Sequence, residues 1–286
     1  LLTRSTHDYM LFFTDKGKVH WLKAYEVPAS AKSAKGKAMI NLLALKDEKV
    51  TSVIAVKEFK DYLMMATKKG IVKKIEFAQF SNPRKGGIKA MKLAENEDTL
   101  IGVKPIKEAQ EVLLVTKKGQ AIRFKSKDVR AMGRASYGVT GIKMSKDDEV
   151  VSLEVLPEGK EADKFAVLTI TKKGYGKRSE INDYRLTGRA GKGVINIKIS
   201  SKNGDVVTSQ TVKGKDNIIV TTKKGIVIRT PVKNIRIMGR ATQGVRMIKL
   251  KEGDRVSDLT RVPSDEEVEK IIEAAVSEPE KVEEKK

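Results

Sequence analysis

The 286 residues contain no cysteine, two histidines, one tryptophan and 5% aromatic residues in all. Without cysteine there is no disulfide, no thiolate chemistry and no cysteine-based zinc site, and a reducing, cytoplasmic compartment is compatible with the chain. His7 and His20 have no Asp or Glu at metal-ligand spacing, and both read as surface strand residues. No apolar run approaches transmembrane length, no signal-peptide pattern is present and no amphipathic helix offers a basic face, which disfavours a membrane partner. Catalytic patterns are missing too. There is no Gly-x-x-x-x-Gly-Lys-Ser/Thr loop, and no Ser/His/Asp set, carboxylate pair or metal triad stands out. The expectation is a binding chain with no catalytic centre, metal or cofactor of its own. Trp21, Tyr25, Tyr137, Tyr175 and Tyr184 lack the spacing of a base-stacking platform and read as packing residues.

What the sequence has in quantity is positive charge and repetition. Lysine and arginine number 58 against 37 acidic residues, for a net charge of +21. Residues 264–286 hold nine acids against four lysines, so residues 1–263 carry +26. A body so charged repels itself unless it meets an anionic partner, and with membranes disfavoured that partner is nucleic acid.

The repetition is a strand ending in Thr, two polar residues, a Gly and a second strand. It occurs five times, at Gly17, Gly70, Gly119, Gly174 and Gly225, spaced 53, 49, 55 and 51 residues apart. The first strands (9–14, 62–67, 112–116, 165–171 and 217–222) are almost continuously apolar, as suits strands buried on both faces. Gly supplies the positive φ that closes a tight hairpin. A further Gly follows 19 residues later in four copies (Gly36, Gly138, Gly193, Gly244) and 17 later in the second (Gly87). Third strands are expected at 38–45, 88–93, 139–144, 194–199 and 245–250, and fourth strands at 50–56, 100–106, 150–156, 206–212 and 256–262. Four strands per fifty-residue repeat describe the blades of an all-β ring, in which each small sheet buries its faces on its neighbours.

Residues 1–6 read as the end of a fourth-type strand, and 256–262 has no hairpin after it. That leaves open a five-bladed ring or a six-bladed ring whose remaining blade lies partly upstream. Residues 264–286 form a separate acidic tail, starting as a helix capped at Ser264 with an apolar stripe of Val268, Ile271, Ile272 and Val276 and disordered beyond Pro279. This tail either competes with nucleic acid for the basic body or only solubilises the chain.

The candidate contacts lie between the second and third strands, where small residues let a phosphate approach while Arg or Lys neutralises it. Copy by copy they are Lys32, Lys35 and Lys37; Arg84 and Lys85; Arg130 and Arg134; Arg189 and Lys192; Arg236 and Arg240. Lys73, Lys74, Lys177 and Arg178 on the second strands join the set. The residue four places after the hairpin Gly is basic in four copies (Lys74, Arg123, Arg178, Arg229) and Trp21 in the first. The Lys-Lys-Gly turns rank lower, because lysines at hairpin tips commonly protect edges.

Several of these motifs resemble one family. Thr67-Lys68-Lys69-Gly70-Ile71-Val72-Lys73-Lys74, Arg130-Ala131-Met132-Gly133-Arg134, Gly174-Tyr175-Gly176-Lys177-Arg178, Gly191-Lys192-Gly193-Val194-Ile195-Asn196-Ile197-Lys198 and Met238-Gly239-Arg240-Ala241-Thr242-Gln243-Gly244-Val245 are similar to the C-terminal domain of bacterial DNA gyrase A. The resemblance implies a six-bladed β-pinwheel, with the sixth blade incomplete in this chain, whose blades exchange a strand and whose outer edge wraps double-stranded DNA. It further implies an A2B2 assembly with the rest of gyrase A and with gyrase B, ATP and Mg²⁺ bound elsewhere in that holoenzyme, and a nucleoid-associated, cytoplasmic setting. The family's Gln-Arg-Arg-Gly-Gly-Lys-Gly box is absent, with remnants at Pro83 to Gly87 and Gly188 to Gly193. Two alternatives stay open: the corresponding C-terminal domain of topoisomerase IV, and a propeller scaffold for acidic protein partners.

Overall fold

The computed structural model describes residues 5–31, 37–43, 45–84, 86–94, 97–264, 266, 268 and 269. The first repeat supplies β1 (Tyr9–Thr14), β2 (Lys18–Lys23), the short helix α1 (Met39–Leu43) and β3 (Val50–Val56). The second supplies β4 (Tyr62–Thr67), β5 (Ile71–Glu76), β6 (Ile88–Lys89) and β7 (Leu100–Ile106), and the third β8 (Glu111–Thr116), β9 (Gln120–Lys125), β10 (Val139–Thr140) and β11 (Val150–Leu156). The fourth gives β12 (Phe165–Thr171), β13 (Tyr175–Glu180), β14 (Val194–Ile195) and β15 (Val206–Lys213), and the fifth β16 (Asn217–Thr222), β17 (Val227–Pro231), β18 (Val245–Arg246) and β19 (Val256–Val262). A 3-10 turn follows each second strand, at Ala24–Glu26, Phe77–Phe80, Ser126–Asp128, Ile181–Asp183 and Val232–Asn234.

These strands make five blades among the described residues, not six. Their orders are β3-β1-β2-β6, β10-β5-β4-β7, β11-β8-β9-β14, β15-β12-β13-β18 and β17-β16-β19. In four blades the outermost strand comes from the following repeat, so that Val19 pairs with Ile88, Val72 with Val139, Ala121 with Val194 and Gly176 with Val245. The hairpin Gly fixes this exchange. Gly17 O accepts from Ala90 N and Met91 N, Gly70 O from Gly141 N and Ile142 N, Gly119 O from Asn196 N and Ile197 N, and Gly174 O from Met247 N and Ile248 N, at 2.8–3.3 Å.

The fifth blade has three strands, and the outer edge of β17 carries no partner strand among the described residues. Val227 is 63% exposed, whereas Val19, Val72 and Ala121 at the same place in their blades are 0% exposed. The first repeat shows the converse. Its third strand, expected at 38–45, is the helix α1, whose Leu43 packs on Phe12 and covers the free face of the first blade. The other expected third strands shrink to two residues each, because the backbone then turns its N–H groups to the Gly carbonyl.

The fourth strands lie side by side towards the centre of the ring. Val103 N donates to Ser52 Oγ (2.9 Å), Lys104 pairs with Glu154 (2.6 Å), Ser152 Oγ donates to Ser209 O (2.6 Å), and Gln210 Nε2 donates to Leu259 O (2.9 Å). Apolar clusters fill the spaces between successive blades, as with Phe13, Met65 and Phe80 between the first two. Every such side chain contributes about 1.5–3 kcal/mol by leaving water. His20 is a correction: it is 5% exposed and its Nε2 lies 3.3 Å from Glu48 Oε2, beside the Lys18–Glu48 pair. Tyr175 and Tyr184 are buried as packing residues, but Tyr25 and Tyr137 are 61% and 50% exposed. In the tail, Val268 N donates to Ser264 O and residues 266, 268 and 269 are helical; Ile271, Ile272 and Val276 and the stretch beyond Pro279 lie outside the described residues, as do 1–4.

Two glycines test the exchange joint. Gly119 has φ +84°, and a Cβ there would stand 2.2 Å from Ile197 O; Gly225 has φ +81° and open space around it. Both alanine variants incur the left-handed penalty of about 1–2 kcal/mol, but Gly119→Ala must also push away the strand of the next repeat. Denaturant unfolding is expected to show a clearly larger loss for Gly119→Ala than for Gly225→Ala. Equal losses would mean that the joint contributes nothing.

Candidate nucleic-acid interface

The loop between each 3-10 turn and the exchanged strand runs along the outer edge of the ring. Three of these loops share one register. Arg130, Arg185 and Arg236 stand eight residues before the closing Gly, and Arg134, Arg189 and Arg240 stand four before it. The first three are exposed, and the second three are half-buried. Arg185 is not among the candidates read from the sequence, although it stands eleven residues after its hairpin Gly just as Arg130 and Arg236 do.

Two of the half-buried arginines, Arg189 and Arg240, are held by the preceding repeat. Arg189 Nε donates to Asp128 O and its Nη1 to Thr140 O, both at 3.1 Å. Arg240 repeats this with Asp183 O (3.1 Å) and Ile195 O (3.0 Å). A guanidinium has five N–H donors, so each arginine is anchored through one side while Nη2 keeps no partner among the described residues. Such a group is positioned before a ligand arrives, which reduces the entropy lost on binding. Around Arg189 the backbone is itself shaped for close approach: Ala190 has φ +63°, and its N donates to Gly141 O at 2.6 Å. A groove of about 390 Å³ lies beside Arg185, Arg189 and Lys192, and a second recess of about 400 Å³ lies between Lys143 and Lys192.

Arg84, Lys192 and Lys37 are exposed, the first two on their loops as expected. Lys32, Lys35 and Lys85 lie outside the described residues. Four candidates are placed elsewhere by the structure. Lys73 and Lys177 are 0% exposed and Lys74 is 2% exposed, inside the blades. Lys74 Nζ donates to Ser126 O (3.2 Å) and pairs with Glu108 (2.6 Å). Arg178 Nε donates to Ile235 O at 2.7 Å, and its burial lowers its pKa from the usual arginine value.

These two belong to a joint that recurs in four blades. Four residues after the hairpin Gly, a side chain donates to a carbonyl on or beside the next repeat's 3-10 turn: Trp21 Nε1 to Phe80 O (3.0 Å), Lys74 to Ser126 O, Arg123 Nη1 to Ile181 O (3.0 Å) and Tyr184 O (3.1 Å), and Arg178 to Ile235 O. Arg229, in the blade whose outer edge is open, is exposed and has no such partner among the described residues. Indole, ammonium and guanidinium have only the N–H donor in common, and the donor is what the position requires.

The Lys-Lys-Gly tips are largely neutralised. Lys68 and Lys117 share Glu149, Lys118 and Lys172 share Asp205, and Lys69 pairs with Glu97. The Glu149 carboxyl, although raised by burial, is held below its usual pKa by its hydrogen bonds to Lys68 and Lys117. Among the described residues no three His, Cys, Asp or Glu side chains come together as a metal site, and no helix is long and apolar enough to cross a membrane.

Residues 8–57, 61–107, 110–157, 166–213 and 216–263 each match the family described as "DNA gyrase C-terminal domain, beta-propeller", one match per blade. DNA gyrase A of Salmonella typhimurium is 41% identical over 97% of this chain and 32% of its own length, and that of Staphylococcus epidermidis is 41% identical over 93% and 30%. The chain thus spans about a third of these relatives. A solved DNA gyrase A C-terminal domain superimposes with a TM-score of 0.77 at 26% identity, covering 91% of this chain and 84% of that one. The C-terminal domain of a DNA topoisomerase IV gives 0.83 at 24% identity over 94% and 83%, a likeness of fold. With a family match in every blade and the same five-fold repeat from first hairpin to last, this chain belongs to the DNA gyrase C-terminal domain family of β-propellers.

Proposed function

We propose that this chain binds duplex DNA along the outer edge of its ring and bends it, without strong sequence preference. The observation that carries this reading is the recurrence of a basic loop on one edge of successive blades, with Arg189 and Arg240 anchored by the same two kinds of carbonyl. Arg130, Arg134, Arg185 and Arg236 extend the row, and Lys37, Arg84 and Lys192 are further exposed contacts. Lys32, Lys35 and Lys85 remain candidates from sequence. Lys73, Lys74, Lys177 and Arg178 are left out of the contact set because their side-chain nitrogens already serve protein acceptors. Contacts of this kind meet phosphates rather than base edges, so they favour deformable DNA over a particular sequence.

In the longer protein, the wrap would supply the chiral crossing that a gyrase turns into negative supercoils. The partners are then the rest of gyrase A and gyrase B in an A2B2 assembly in the cytoplasm, at the nucleoid, with ATP and Mg²⁺ bound by those other parts. The open edge of β17 leaves room for a further blade, so a ring of six is the proposed closed form, with residues 264–286 as an appended acidic tail. The missing Gln-Arg-Arg-Gly-Gly-Lys-Gly box favours a second reading, the corresponding C-terminal domain of topoisomerase IV, in which the same edge senses DNA geometry. The exposed Leu186, Ile195 and Ile237 on the edge favour a third, a scaffold for acidic proteins.

Release of counterions by some six or more phosphate contacts should weaken duplex binding about a thousandfold or more between 50 and 200 mM salt. Arg134→Glu, Arg189→Glu and Arg240→Glu together should lower affinity and reduce the logarithmic salt slope by about three, with the far-ultraviolet β signal unchanged. Salt-independent binding, or unchanged affinity in the folded triple variant, would contradict the reading. A separate check is ligase-driven circularisation of short duplexes. The chain is expected to accelerate ring closure, whereas tight binding that leaves closure unchanged would show binding without bending.

A further inference from the structure

Beneath two of the basic loops lies a lysine that has no carboxylate bonded to it. Lys73 stands in β5 three residues after Gly70, and Lys177 stands in β13 three residues after Gly174; both are 0% exposed. Lys73 Nζ donates to Arg134 O (2.7 Å), Ala90 O (2.9 Å) and Ser136 O (3.3 Å). Lys177 Nζ donates to Ser179 Oγ and to Gly239 O (3.2 Å), and Ser179 Oγ donates on to Met238 O (2.8 Å). Each ammonium therefore binds the backbone of the loop that carries Arg134 or Arg240. The third blade supplies an internal control. At the same register it has Ile122, 2% exposed, and a Cβ built at Gly191 in the loop above would lie 3.4 Å from Ile122 Cδ1. An apolar side chain thus satisfies the fold at this position, and the two lysines serve something other than packing.

Resting on the DNA reading above, we propose that Lys73 and Lys177 are positioning residues of the DNA-binding edge. Their ammonium groups hold the Arg134 and Arg240 loops in place, and DNA binding is coupled to proton uptake by these two lysines. The charged groups that face them are Arg134 for Lys73, and Asp183 and Arg240 for Lys177, whose neighbour Tyr184 is kept neutral by burial. Burial first, and the nearby arginine second, bring Lys73 down to about 8; burial does the same for Lys177, with Asp183 opposing and Arg240 assisting. A phosphate settling on Arg134 or Arg240 offsets the charge that disfavours the ammonium, so bound DNA raises both lysine pKa values. Affinity is then complete below about pH 8 and declines as pH rises through that value.

Stability moves the other way. Because the folded values lie below the ordinary 10.5, the unfolded chain holds more protons between about pH 8 and 10.5, and these two groups make the fold more stable as pH rises there. Weaker DNA binding at pH 9 is therefore not a sign of unfolding.

The test is calorimetric titration of a short duplex into the chain at pH 8 in two buffers of different ionisation enthalpy, together with affinities at pH 7 and 9. The wild type should take up protons on binding, and its affinity should fall about tenfold for each pKa unit by which DNA raises a lysine. Lys73→Met with Lys177→Met, which imitates Ile122, should abolish the uptake and flatten the pH profile. In the absence of DNA the same variant should show faster amide hydrogen exchange across 132–138 and 238–244. Buffer-independent heats in the wild type, unaltered proton uptake in the variant, or unchanged exchange in both loops would each overturn the proposal. The wild-type measurement decides the coupling even if the variant fails to fold. Binding at pH 7 without proton uptake refutes only this inference, whereas no duplex binding at pH 7 refutes the DNA reading and this inference with it.

Discussion

A hairpin Gly carbonyl that accepts two N–H groups from the next repeat joins each blade to its successor, and the placement of the basic loops follows from that joint. A small antiparallel sheet leaves an unpaired edge and two apolar faces. Here the edge is completed by two residues that arrive from the following fifty, and the faces are covered by the blades on either side. The loop leading to those two residues must cross the outer edge once per repeat. Basic residues in that loop are therefore displayed at regular intervals by a backbone constraint that does not involve them. At β17, where no incoming strand is found among the described residues, the consequences appear together: an exposed Val227, a Gly225 with open space around it and an Arg229 with no such carbonyl partner among those residues.

Positive charge in this chain is consequently of three kinds. Most lysines at the tips of the second to fourth hairpins are paired with acids that precede the fourth strands, as in the Lys68–Glu149–Lys117 group. Buried or half-buried basic groups such as Lys74, Arg123 and Arg178 bind carbonyls of the next repeat and serve as struts. The loop arginines combine both uses, since Arg189 and Arg240 are anchored on one side and open on the other. Among the described residues, this last group presents charge on the outer edge that protein acceptors have not fully engaged.

The first strands of the first four hairpins were legible because they are largely buried on both faces, which leaves an apolar run before the Gly turn that no solvent-exposed strand would tolerate. The third strands were legible in position but not in extent. Their alternating apolar pattern is real, as Ile142, Ile197 and Ile248 are buried, yet only two residues per copy pair as strand before the chain bends to the Gly carbonyl. The helix at Met39–Leu43 was not legible, because its apolar residues suit either a strand or a cover for the first blade. Among the basic residues, charge alone does not distinguish a strut from a contact. Trp21 carried the missing signal: a neutral residue at a position basic in the other four copies indicates a position facing protein.

The central claim is that the basic loops together hold DNA along a curved, handed path. Its most direct test is to seal nicked plasmid with ligase in the presence of this chain, remove the protein and measure the linking number. The account predicts a positive shift that grows with protein concentration and is lost in the Arg134→Glu, Arg189→Glu, Arg240→Glu variant. An unshifted linking number at saturating binding would contradict it.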